Sequence, residues 1–337
     1  MSRIAIIGAG SWGTALAVVL SRNARHQVHL WAFEKEVAEA IRTQRVNQSF
    51  LPGFPLPKTV TAVTRMEQAL SGAEFVVVAV PSQHCRSVYD QMPGSLDPKM
   101  LFVSATKGLE SGTAARMTEV ADAAIEGAPG GFRPRIGALS GPSFAREAAR
   151  GDPTAITIAS TDKELAATVQ QEFSDPNFRV YTNEDVVGVE LGGALKNIIA
   201  IAAGVCVGLE LGNNTIAALM TRGLAEITRL AVACGGQRET LAGLAGMGDL
   251  VLTCTGGLSR NRSLGVELGK GRKLPEVLAE MHGMVAEGVL TTQAARELAR
   301  RKKVEMPITE QMHEILNQGK PPQEAILELM TRPGKME

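Results

Sequence analysis

The sequence predicts an α/β chain in two parts: a doubly wound sheet domain over residues 1–187, then an all-helical domain over 188–337. Three observations predict it. Short β-branched runs alternate with helical patterns from residue 1 to about 185, the pattern of a doubly wound α/β domain. Several runs are apolar throughout instead of alternating, as in strands covered on both faces of a parallel sheet. After about residue 188 the strand signals stop.

Taken in order, the strand candidates are "RIAIIG", "QVHLW", "TVTAV", "FVVVAV", "MLFVSA", "IGALS" and "TAITIAS". The segments between them read as helices, for example 12–23, 34–46 and 113–126, and "EGAPGGFRP" at 126–134 reads as a turn-rich loop. The second half predicts helices over 188–210, 214–234, 238–245, 261–270, 274–281, 291–302, 307–317 and 321–330. Pro275, Pro307 and the Pro321–Pro322 pair sit at helix starts, where a missing N–H costs little. There is no internal repeat and no long linker, so the two halves are expected to pack on each other, with "RPGKME" as a frayed tail.

Composition narrows the function. The chain has 337 residues, 45% apolar, with 35 basic and 35 acidic side chains. A formal net charge of zero gives no global basic field for nucleic acid or an anionic membrane, and 4% aromatic content provides no stacking platform for single strands. Cys85, Cys206, Cys234 and Cys254 are widely separated and form no CxxC pair, which fits reduced core thiols in a cytoplasmic protein. The start, Met-Ser-Arg followed directly by "IAIIGAG", leaves no room for a signal peptide. The most membrane-like segment, 198–209, is about half the ~20 residues needed to span a bilayer. It reads as a buried core helix.

The first strand runs directly into "GAGSWG", placing Gly8, Gly10 and Gly13 between a strand and a helix. That is the context a dinucleotide-binding, Rossmann-like fingerprint requires, and it calls for NAD or NADP. Gly8 permits the tight turn, Gly10 lets the backbone approach a pyrophosphate, and Gly13 lets helix and strand pack closely. The helix N-terminus offers free N–H groups to the phosphates. After the second strand comes "WAFEKE". Glu34 can accept the ribose hydroxyls and Lys35 can meet a 2′-phosphate, although both also suit a solvated helix start. Further loops, "VAVPSQH" with Pro81, Ser82 and Gln83 and "VSATKGLE" with Lys107 and Gly108, follow strands at the carboxyl edge where ligands of such sheets bind.

The remaining chemistry lies in "LSGPSFARE" (139–147), "GVELGGALKNIIAIAAG" (188–204) and "GMGDLVLTCTGGLSRNRSLG" (246–265). Lys196 is a single cation on an apolar helix, costly unless matched by a partner. Asp249, between two glycines and the apolar "LVL", is a candidate partner; a plain interdomain salt bridge is the alternative. Arg260 in "SRNR" can grip a phosphate bidentately, with Asn261 adding a hydrogen bond.

Together with "GAGSWGTALA" and "SATKGLE", these motifs closely resemble the NAD(P)-dependent glycerol-3-phosphate dehydrogenases, particularly the bacterial enzymes, from the first strand to at least "VAEGVLTT" at 285–292. The resemblance implies reversible hydride transfer between NAD(P)H and dihydroxyacetone phosphate, with a product that feeds phospholipid synthesis. It implies a catalytic role for Lys196, supported by Asp249 and by Lys107, which also contacts cofactor and substrate. It implies substrate contacts at Gly141, Ser143, Asp249, Ser259, Arg260 and Asn261. Cofactor contacts are implied at Ser11, Trp12, Phe33, Glu34, Ala145, Arg260, Val285 and Glu287. One position departs: bacterial relatives often carry a basic residue or His where this chain has Phe33, which weakens the case for NADP. His26, His29, His84, His282 and His313 lie outside the motifs, and no metal is expected.

The expected partners are a small phosphorylated substrate and, as a candidate assembly, a second copy in a homodimer; neither nucleic acid nor a membrane span is expected. The rival readings are a two-domain hydroxyacid dehydrogenase of ketopantoate or 6-phosphogluconate type and a non-catalytic NAD(P)-sensing protein. The second would need the glycine fingerprint but not Lys196, Asp249 and "SRNR" together.

Overall fold

A computed structural model describes residues 2–281, 286–334 and 336 of the protein. The strands are β1 (Ser2–Ile7), β2 (His26–Trp31), β3 (Val46–Asn47), β4 (Leu51–Pro55), β5 (Val60–Val63), β6 (Phe75–Val78), β7 (Leu101–Ser104), β8 (Arg135–Ser140), β9 (Thr154–Ala159) and β10 (Phe178–Asn183). Among the described residues, eight of them form one sheet in the order β10-β9-β8-β7-β6-β1-β2-β5, and β3 and β4 form a separate antiparallel pair. The apolar runs Ile4–Ile7 and Phe75–Val78 are buried on both faces, as their lack of alternation requires.

The sheet is mixed. β8 pairs antiparallel with β9, and β10 runs parallel to β9. The expected seven strands are present, but β10, β3 and β4 add to them. β10 lies at the sheet edge, and its alternation of buried and exposed residues in "FRVYTN" is short and polar enough to pass for loop.

The helices of the first half are α1 (Ser11–Leu20), α2 (Lys35–Gln44), α3 (Met66–Leu70), α4 (Cys85–Tyr89), α5 (Met117–Glu126), α6 (Ala145–Arg150) and α7 (Lys163–Phe173). Those of the second are α8 (Val186–Gly208), α9 (Asn213–Ala233), α10 (Arg238–Ala242), α11 (Asp249–Thr255), α12 (Arg260–Gly269), α13 (Leu274–Glu280), α14 (Glu287–Lys302), α15 (Pro307–Gln318) and α16 (Pro322–Met330). One expected helix, 238–245, is split: α10 ends at Ala242 and a π-helical turn, Leu244–Gly248, leads into α11. No helix is expected from the sequence at α11, whose seven residues stand between glycines at 248 and 256.

α8 is the axis of the second half. It is apolar all round, the pattern of a helix buried on every side. Residues Gly188–Cys206 are buried, and α9, α11, α12, α14, α15 and β8 pack on it. By length and composition α8 alone among the described helices could cross a membrane, yet 89% of its most apolar window is buried inside the fold.

The two halves are fastened through α8 and the loop that follows β7. Glu190 of α8 accepts from the Arg116 guanidinium (2.6 Å), the Thr118 backbone N–H (2.9 Å) and the Thr118 hydroxyl (2.6 Å). Leu109 and Ala114 of that loop enter the core of the helical half beside Leu195 and Ile198. Arg301 of α14 donates to the carbonyl of Thr113 at 2.7 Å.

Inside the helical half, Glu226 of α9 is 2% exposed and accepts from the N–H groups of Ile308 (2.6 Å) and Thr309 (3.3 Å) at the start of α15. Burial raises its carboxyl from 4.5 to about 7. A raised folded value means the native state holds a proton that the unfolded state has already released. Stability from this group is therefore full below about 4.5 and is lost as pH rises through about 7. Against a non-titrating Glu226→Gln variant, the wild type should lose up to about 3 kcal/mol of relative stability between pH 4.5 and 8. Denaturant unfolding of both proteins across that range checks it; a constant difference would place the titration elsewhere.

Candidate active site

The carboxyl ends of β1, β2, β6, β7 and β8 share one edge of the sheet. This edge carries Gly8, the "AFE" turn, Ser82, Lys107 and Gly141 in that spatial neighbourhood. It faces α8 and α14.

At the nucleotide end, Gly8 has φ +116°, and a side chain there would fall 2.6 Å from the carbonyl oxygen of Ala79. A side chain on Gly13 would strike the Gly8 carbonyl. Gly10 differs: nothing lies within 4 Å of where its Cβ would be, so the turn is open at the start of α1. No side chain caps α1, which leaves its first N–H groups unspent. Ser11 is anchored by donating to the Phe50 carbonyl (2.7 Å), and the indole N–H of Trp12 is buried with no partner. Asn47, fully buried, fixes this loop by donating to the Ala9 carbonyl and the Thr14 hydroxyl, both at 2.8 Å. An open glycine, uncapped N–H groups and an orphaned indole donor fit a dinucleotide pyrophosphate.

Phe33 is 79% exposed with its ring edge-on to Trp31, and Glu34 is exposed at the start of α2 with no ion partner among the described residues. Ala145 begins α6, which packs against α1. Glu287, first residue of α14, accepts from the backbone N–H (3.1 Å) and the hydroxyl (2.5 Å) of Ser82, tying the helical half to the loop after β6. Burial raises the Glu287 carboxyl, while Ser82 and Arg260 oppose the shift. Val285 and His282 lie outside the described residues.

The centre of the site is one carboxylate between two ammonium groups. Asp249, 1% exposed, accepts from Lys196 on one oxygen and from Lys107 on the other, the latter at 2.8 Å. Lys196 also donates to the Thr253 hydroxyl at 2.8 Å, and that hydroxyl donates its own proton to the Asp249 carbonyl at 2.6 Å. An ammonium has three donors. Two of those of Lys196 are taken, and one is free. Burial pulls the Lys196 ammonium down to about 8, Asp249 holds it up, and Lys107 pushes it down again.

Lys107 donates in addition to the Gly141 carbonyl (2.9 Å), which also accepts from Ser143 (2.9 Å). Arg260 opens α12 with solvent access, and the Ser259 hydroxyl caps that helix by accepting from the Arg262 N–H at 3.2 Å. Asn261, expected at the phosphate, also bonds across the helices. Its amide donates to Asn197 (2.9 Å) and accepts from the Gly288 N–H (3.0 Å), so it ties α12 to α8 and α14 and keeps one side-chain N–H free. Thr253, Asn197 and Asn47 are not singled out by the sequence, and Ser82 is marked there only as part of a loop at the ligand edge of the sheet. Only Thr253 carried a local signal, its i,i+4 spacing from Asp249.

Residues 3–166 match the family model for the NAD-dependent glycerol-3-phosphate dehydrogenase N-terminus, and 185–327 match that for its C-terminus. The chain belongs to the glycerol-3-phosphate dehydrogenase family. A glycerol-3-phosphate dehydrogenase [NAD(P)+] of Koribacter versatilis is 64% identical over 337 residues, covering 100% of this chain and 99% of the relative. Its counterpart in Geobacter sulfurreducens is 53% identical over 99% of this chain and 98% of its own. Among solved structures, glycerol-3-phosphate dehydrogenase from Coxiella burnetii superposes with a TM-score of 0.92 at 40% identity, over 98% of this chain and 99% of that one. A ketopantoate reductase from Ralstonia eutropha reaches TM-score 0.59 at 17% identity over 96% of this chain and 99% of its own, a likeness of fold alone.

Proposed function

We propose that this chain is an NAD(P)-dependent glycerol-3-phosphate dehydrogenase that reduces dihydroxyacetone phosphate reversibly to sn-glycerol 3-phosphate. The observation that carries the reading is the Lys196–Asp249–Lys107 cluster, with Lys196 and Asp249 buried and one ammonium N–H of Lys196 left over. The printed activity of full-length relatives at 64% and 53% identity supports it. The division at residue 187/188 belongs to the same reading, supported by the start of α8 at Val186 and by the two family matches.

A dinucleotide, when bound, would supply the hydride. The first N–H groups of α1 after Gly10, with Ser11, Trp12 and Gly13, would hold its pyrophosphate, and Glu34 would hold its ribose. Arg260 and the start of α12, with Ser259 and Asn261, hold the substrate phosphate. Lys196 and Lys107 face the carbonyl oxygen, and their positive charge stabilises the alkoxide as it develops. Lys196 then gives that oxygen its remaining proton, and takes the hydroxyl proton in the reverse direction. Asp249 neutralises one of the two charges and fixes both lysines, so the cluster keeps one net positive charge for an anionic substrate.

The direct test is oxidation of NADH or NADPH on adding dihydroxyacetone phosphate, with ketopantoate as control; turnover of ketopantoate alone would overturn the assignment. The acid must be protonated for reduction, so kcat/KM for the ketone should fall as pH rises through about 8, and the oxidation rate should rise over the same range. Lys196→Met should fold, bind NADH, lose that pH limb and turn over roughly 10²–10⁴ more slowly. Near-normal turnover would make the lysine structural.

Arg260→Ala should raise KM for dihydroxyacetone phosphate roughly 10–100-fold, the equivalent of one charged hydrogen bond of about 1.5–3 kcal/mol. Unchanged kinetics would remove Arg260 from the pocket. With Glu34 exposed and Phe33 uncharged, NADH should serve at least as well as NADPH. A preference for NADPH of about a hundredfold, ~2.7 kcal/mol, would show that Lys35 or another cation reads the 2′-phosphate.

A further inference from the structure

The cluster is assembled from three chain segments that meet at two residues without side chains. Lys196 stands on α8, Asp249 follows the π-helical turn, and Lys107 is fastened to the Gly141 carbonyl at the end of β8. One turn before Lys196 come Gly192 and Gly193. A Cβ on Gly192 would fall 2.6 Å from the carbonyl oxygen of Ala245, within the π turn, and 3.2 Å from Leu241 Cδ1. A Cβ on Gly193 would fall 2.5 Å from Ser140 Oγ, on the last residue of β8, and 3.6 Å from Lys107 Cγ. The first obstacle is backbone, four residues before Asp249. The second is a side-chain oxygen that is buried and has no partner.

We infer that Gly192 and Gly193 are positioning residues: their bare backbone sets how far the Asp249 turn and the Lys107 strand end stand from Lys196. This rests on the reductase reading above. Gly192 acts through Asp249, because the π turn has no freedom to yield without moving the residue that follows it. Gly193 acts through the β8 end, where the obstacle is a single removable atom.

The experiment is a pair of cycles on the full-length enzyme, each variant first shown to unfold cooperatively and to bind NADH by fluorescence. Gly192→Ala should lower kcat roughly 10–100-fold, the scale of an ångström-level misplacement, with KM for dihydroxyacetone phosphate within about threefold because Arg260 is untouched. In an Asp249→Asn background the same change should cost less than about threefold, since the contact it disturbs is already gone. Additive losses, or no loss in the wild type, overturn the inference for Gly192. Gly193→Ala carries the claim if Gly192→Ala does not fold. It should also lower kcat, while Ser140→Ala alone should not. The double variant should recover most of the activity, because with Oγ removed the nearest atom is Ser140 Cβ at 3.5 Å, an ordinary contact. Failure of that rescue, or full activity in Gly193→Ala, overturns the inference. Absence of dihydroxyacetone-phosphate reduction in the wild type would instead sink the functional reading on which it rests.

Discussion

Lys196 is 6% exposed and has to carry a charge. Removing an ammonium from water costs several kcal/mol per ion, and the protein meets that cost locally, with a carboxylate, a hydroxyl and little else. The outcome is a compromise between opposed effects: burial and Lys107 drive the proton off, while Asp249 keeps it on. A lysine in water holds its proton too firmly to exchange it readily near neutrality. Without Asp249, burial and Lys107 would lower the Lys196 ammonium further. Asp249 sits between the two cations, offsetting one of their charges and leaving the cluster one net positive charge.

That balance depends on distances between segments far apart in sequence, so the two halves must not drift. Four ties keep them fixed, and they surround the site. Glu190 grips the start of α5, Leu109 and Ala114 are buried in the helical core, Arg301 holds the loop at Thr113, and Glu287 holds Ser82. The segment from Lys107 to Thr118 therefore belongs by chain to the sheet domain and by packing to the helical one. Lys107 is tied to the sheet at the Gly141 carbonyl and to Lys196 through Asp249.

Much of this was legible in the sequence, for identifiable reasons. Fully apolar strands and a glycine turn between strand and helix are local signals, and β1, β6 and α1 follow from them. Lys196 stood out because a cation in "GGALKNIIAIAAG" has few physical explanations. What escaped was non-local or hidden by glycine. β10 is an edge strand whose polar alternation resembles loop. α11 is short and bracketed by glycines, so its helical character, and with it the Asp249–Thr253 pairing one turn apart, is set by packing on α8. The bonds of Asn261 to Asn197 and Gly288 depend on how three helices meet. Ser82 became a partner of Glu287 across 205 positions of sequence, which no spacing rule reaches.

The glycine and alanine content of α8 sets how closely its neighbours approach. Small side chains let neighbouring backbones come close: a Cβ on Gly204 would lie 2.9 Å from the Cα of Gly265, and one on Gly208 would lie 2.9 Å from the Cα of Gly269. The same closeness lets Asn197 and Asn261 pair directly across the α8–α12 seam, which orients the start of α12 and so Arg260. The most apolar stretch of the sequence is therefore a seam between helices, and it holds the start of α12 against α8.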